Sequence, residues 1–150
     1  ATLFDWLSQV HNSGNTPVAM NDKADPQDLL FRTFSLVDAY LAHWGVRKAE
    51  LQLTGVACMM VVAGLNGRSD EVEEDAELAT WLAFVTDGLC TDAEVRSAAR
   101  KVHQVLGFRL HQPTAYTFLR RYLRKTGWTE ESFSLANYLI ELAAMHSDFT

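Results

Sequence analysis

Residues 51–67 read LQLTGVACMMVVAGLNG, with no charged side chain anywhere in the run. A helix lying on a protein surface needs one apolar stripe. A helix that is apolar around its whole circumference must be enclosed by others. This segment therefore asks for a fold with one central helix and a ring of helices around it. A membrane span is the other structure such a run suggests, but it falls short of the roughly 18 uninterrupted apolar residues a crossing needs. Gly55 lies in its middle, where glycine costs about 1 kcal/mol against alanine. That cost implies a close helix crossing at which no side chain fits.

The remaining segments supply the ring. Leu3, Trp6, Leu7 and Val10 share one stripe of a helix over residues 2–11. The turn-rich stretch NSGNTPVAMNDKAD reads as a loop. Asp25 then caps a helix whose first position is Pro26, where a missing N–H does no harm. That helix turns Leu29, Leu30, Phe34, Val37, Tyr40 and Leu41 inward and is expected to close at Gly45. The hub helix begins near Arg47. After it, NGRSDEVEEDAE reads as an exposed acidic loop, and a short helix covers 78–86.

Thr91-Asp92-Ala93-Glu94 is a capping box, opening a helix that runs to Leu106 and stops at Gly107. Pro113 is expected to start the next, ending at Gly127. Thr129 caps a last helix that should bury Phe133, Ala136, Leu139, Ile140 and Ala143. No segment alternates as a strand does. The fold class is all-α.

At 150 residues the chain has the size of an ordinary domain, with 48% apolar and 21% charged residues, the globular range. A net charge of -6 speaks against nucleic acid as a partner, because phosphate binding needs a basic face. Arg120-Arg121-x-x-Arg124-Lys125 is the local exception, read as a solvated helix face in preference to a docking patch. ATLFDWLSQV has neither a basic leader nor a small-residue cleavage site, so no signal peptide is expected. Starting without Met inside an apparent helix, the chain reads as a piece of a longer protein.

Cys58 and Cys90 form no disulfide framework, and Cys58 reads as a core residue of a protein kept reduced. The five histidines, His11, His43, His103, His111 and His146, are scattered, with no zinc, phosphate-loop or nucleophile motif around them. The acidic loop lacks the spacing and turn glycine of a calcium loop. No metal, cofactor or catalytic residue is expected, and the chain is not read as an enzyme.

ATLFDWLSQV resembles the opening helix of a cyclin box, with its Asp-Trp-Leu. FSLVDAYLAHWGVRKAELQLTGVACMMVVAG is similar to the second helix and the hub, including the Leu-Gln-Leu-x-Gly entry. DAELATWLAFVTDGLCTDAEV resembles the lead into the fifth helix. VLGFRLHQPTAYTFLRRYL is similar to the passage between the two repeats, and ESFSLANYLIELAAM to the next helix of the second. The likeness covers nearly the whole chain in the right order and is strongest to the mitotic, cell-cycle cyclins. It implies a cyclin box over residues 1–110 and the start of a second cyclin-like repeat over 111–150.

The resemblance also implies a role: a regulatory subunit, nuclear or cytoplasmic, that binds a cyclin-dependent Ser/Thr kinase. Nucleic acid and membrane are not implied as partners. Val61, Gly64, Leu65, Ala99, Val102, His103 and Phe108 fall at or near the family's kinase-facing positions. Leu3, Trp6, Gln9, Leu51 and Gln52 correspond to a groove that takes Arg-x-Leu peptides. The chain departs from the pattern where it matters. Gly64 stands where the family has a Lys that reaches the kinase backbone, and Ala99 where it has a Glu. Two charge-assisted hydrogen bonds of about 1.5–3 kcal/mol each would be missing, enough to weaken binding by orders of magnitude. Gln9 replaces a common acidic residue, which bears on recognition of the peptide's Arg. Asp38 matches a structural Asp whose Arg partner has no counterpart in this chain, so it should be exposed or locally hydrogen-bonded. The rival reading is a divergent cyclin-fold adaptor that binds other proteins and no kinase.

Overall fold

The computed structural model describes residues 2–13, 25–65, 76–107 and 109–146, and among them every regular element is helical. In chain order these are α1 (Leu3–Asn12), α2 (Pro26–His43), α3 (Leu51–Leu65), α4 (Ala76–Val85), α5 (Asp92–Leu106), α6 (Ala115–Thr126) and α7 (Glu130–Met145). A 3-10 turn over Lys48–Glu50 leads directly into α3. Residues 66–75 of the acidic stretch lie outside the described residues, as does most of the loop between α1 and α2. The last two residues of that stretch, Ala76 and Glu77, already belong to α4, which starts before the expected residue 78.

The run LQLTGVACMMVVAGL forms α3, and every residue from Thr54 to Ala63 is buried. Its neighbours are α1, α2, α4 and α5, so the expected hub and ring are what the chain builds. Counted with the 3-10 turn, Lys48–Leu65 reaches 18 residues and passes a length-and-composition test for a membrane span. That corrects the sequence expectation on length. The segment is nonetheless the core of the bundle, with more than half of it shut inside the protein.

Gly55 marks the tightest crossing. A Cβ there would stand 3.0 Å from Leu7 Cδ2 and 3.4 Å from Leu3 Cδ1, so α1 packs directly on the hub's backbone. The caps follow the sequence closely. Asp25 accepts from the Gln27 N–H at 3.1 Å, and Thr91 and Glu94 form their reciprocal box. Gly107 and Gly127 take the positive φ values, 57° and 66°, that end α5 and α6. Three expectations need correcting. Trp44, in extended conformation, ends α2 instead of Gly45. Thr114, bonded reciprocally with Thr117, caps α6 one residue after Pro113. Finally, α7 buries no residue fully: Leu139 is more than half exposed, and Phe133 and Ile140 only lean on the core.

Candidate functional site: two faces of the hub helix

The first face lies where α1 crosses the start of α3. Leu3, Trp6 and Gln9 recur every three residues and so share one side of α1, while Leu51 and Gln52 open α3. Leu3 and Leu51 meet in a cleft of about 400 Å³, completed by Phe4, Leu41 and the end of α7 at Ala144 and Met145. Trp6, Gln9 and Gln52 do not line that cleft. Trp6 is half-buried and packs against the core, and Gln9 is exposed.

Gln52 Oε1 is buried and has no hydrogen-bond partner among the described residues. An unsatisfied buried acceptor costs about 1–3 kcal/mol. Asp38 lines the same cleft. Its residue is exposed, with no ion-pair partner among the described residues. Loss of hydration near the cleft raises its carboxyl above the usual range.

The second face lies where the end of α3 runs beside α5. Gly64, Leu65 and His103 are partly exposed there. Val61, Ala99 and Val102 are 1% exposed or less and belong to the core between the two helices. Their side chains offer a partner no surface. Ala99 has a physical consequence: a carboxylate at a position without solvent access would meet the desolvation cost of a buried charge. Phe108 lies outside the described residues. No His, Cys, Asp or Glu cluster among the described residues is placed to hold a metal ion. Burial drives the Cys58 thiol far up, which leaves it inert.

Two arrangements escaped the sequence reading. Asp25 looked like a helix cap alone, yet it also accepts from Tyr116 Oη at 2.7 Å and pairs with Arg120 at 3.3 Å, tying α6 to the start of α2. Burial, then the Asp25 bond, pushes the Tyr116 hydroxyl far above its ordinary range. The other is a polar seam in which Ser8 donates to Glu141 and Asn12 Nδ2 donates to Ser8 Oγ at 3.2 Å, fastening α7 to α1. Hydrogen-bond partners 91 and 133 residues apart leave no periodic trace in sequence.

Comparison with known proteins identifies the family. The model of the cyclin N-terminal domain matches residues 1–111, and that of the cyclin C-terminal domain matches residues 113–150. Cyclin-A2-1 of Arabidopsis thaliana is 33% identical over 98% of the chain, which covers 31% of that relative. G2/mitotic-specific cyclin-B1 of Xenopus laevis is 33% identical over 99% of the chain and 34% of the relative. G2/mitotic-specific cyclin-B2 of Anguilla japonica is 31% identical over a similar span. The chain spans about a third of the length of these curated relatives. With the hub-and-ring architecture, the ordered motifs and these matches in agreement, the chain belongs to the cyclin family, with A- and B-type cyclins among its relatives.

Proposed function

We propose that this chain acts as a cyclin-like regulatory subunit, inside the cell, in cytoplasm or nucleus. It binds and modulates a cyclin-dependent Ser/Thr kinase and recruits substrates through the α1–α3 face. The chemistry belongs to the kinase; the chain contributes by favouring one of the kinase's conformations. The observation that carries the reading is the pairing of Leu3 and Leu51 in one cleft beside the buried, unpartnered Gln52 Oε1. An extended Arg-x-Leu peptide offers what that surface lacks: a leucine side chain for the apolar wall and a backbone N–H for the amide oxygen.

A second reading is favoured by Gly64 and Ala99. One has no side chain and the other no surface. On that reading the chain is a divergent cyclin-fold adaptor that binds other proteins and no kinase. Titration against purified cyclin-dependent kinases, read by binding and by phosphorylation of a histone-type peptide, separates the two. Saturable binding with activation is expected for the regulatory subunit; the absence of both favours the adaptor. An Arg-x-Leu peptide titrated in parallel should lose at least about tenfold in affinity with Leu51→Ala or Gln52→Ala. Unchanged affinity in both variants would overturn the groove.

A further inference from the structure

A cationic groove of about 630 Å³ runs between α2 and α6, away from both faces of the hub, and it contains Arg32, Arg120, Arg121 and Arg124. The chain as a whole carries a net charge of -6, so this concentration of guanidinium groups stands against the sign of the molecule. Two of the four are already engaged. Arg32 Nε lies 2.9 Å from Asp28 Oδ2, and Arg120 pairs with Asp25. Arg121 and Arg124 are exposed and have no acidic partner among the described residues. Four arginines against two aspartates leave two positive charges unanswered. Beside them Phe118, 48% exposed, supplies an apolar wall.

We propose that this groove docks an acidic peptide segment of a partner protein, with two Asp or Glu side chains seated on Arg121 and Arg124 and a flanking apolar residue on Phe118, one helical turn before Arg121. Charge complementarity selects the occupant. Arginine presents a planar fork of donors that matches a carboxylate edge, and on the wall of this groove Arg32 already holds the Asp28 carboxylate through Nε. Asp28, which also lines the groove, argues for single carboxylates over a phosphate, whose second charge would meet it at short range. It also argues against nucleic acid, whose phosphates would follow the groove past it. The assignment is independent of kinase binding and of the α1–α3 cleft. It takes up the docking patch that was the alternative to a solvated helix face for the Arg-Arg-x-x-Arg-Lys run.

The test is fluorescence anisotropy with the whole chain and a short labelled peptide carrying two Glu with a Leu to one side of them. Binding is expected, with affinity falling about tenfold for each arginine reversed in Arg121→Glu and Arg124→Glu. It should also weaken as salt rises. Phe118→Ala should reduce affinity without changing the salt dependence. Both arginines are exposed, so the variants should keep the parent helical circular dichroism. The milder pair Arg121→Gln and Arg124→Gln serves if charge reversal disturbs folding. Equal binding by parent and double variant would overturn the proposal. So would tighter binding of a phosphoserine version of the peptide, or displacement of the peptide by a short DNA duplex.

Discussion

Gly55 shows how a single residue sets the geometry of the hub. Its place inside an apolar run made a close crossing legible in sequence, because a helix keeps glycine at a cost only where nothing larger fits. The structure names what fills the space: Leu7, fully buried, and Leu3, whose other side faces the cleft. Replacing Gly55 by Val adds three carbons between helices with no room for them. Overpacking of this kind typically costs about 1–3 kcal/mol. Urea denaturation of Gly55→Val should therefore show a loss of that order, together with weaker Arg-x-Leu peptide binding as Leu3 is pushed aside. Full parent stability would mean that α1 can slide along the hub. Ala99 behaves differently. The missing Glu was visible through family resemblance, but its burial was not, because one alanine on an amphipathic helix has no sequence mark for which neighbour covers it.

At the scale of the elements, helices and their ends were readable because caps are local chemistry. Asp25, Thr91 and Thr129 each satisfy a backbone N–H two or three residues away, and a sequence displays that spacing directly. How one helix is fastened to another was not readable, and the α1–α7 seam is the clearest case. His11, buried on α1, lies near Glu141 of α7. Burial lowers the His11 pKa below 6.5; Glu141 and the Pro26 backbone oppose the shift without cancelling it. The unfolded chain thus takes up a proton at a higher pH than the folded one. This contribution is complete above pH 6.5 and is lost as pH falls through the lowered folded value. Chemical denaturation at successive pH values should show stability falling with acidity just below pH 6.5, by at most about 1.4 kcal/mol per pH unit from this one group. His11→Gln should flatten that limb, while an unchanged slope would assign it to other groups. Removing the Glu141 charge with Glu141→Gln should lower the His11 pKa further, an effect that NMR titration of the imidazole reads directly.

For the molecule as a whole, the contrast between α3 and α7 decides its behaviour in solution. Ten consecutive residues of α3 are buried, whereas no residue of α7 is. An apolar circumference announced in sequence that α3 is enclosed, but the one-sided stripe of α7 looked equally like a core face, since periodicity cannot say whether other helices cover it. The outward side of α7 presents Leu135, Tyr138, Leu139 and Leu142, each between 43% and 60% exposed, with Trp128 beside them. Trp128, Leu135 and Leu139 form the walls of a shallow depression of about 320 Å³. A contiguous apolar surface of this kind drives association, and the acidic net charge resists it only over a Debye length of roughly 8–10 Å in ordinary salt. Sedimentation velocity of the 150-residue chain should therefore show association that grows with concentration and with salt. Leu135→Asp combined with Leu139→Asp should restore a monomer. Because both side chains face outward, the thermal midpoint of that variant should stay close to the parent's. A parent that sediments as a monomer at every concentration would mean that α7 covers these side chains itself, by turning on the Phe133 and Ile140 contacts that now hold its inner side. A variant that unfolds would mean that they already belong to the core.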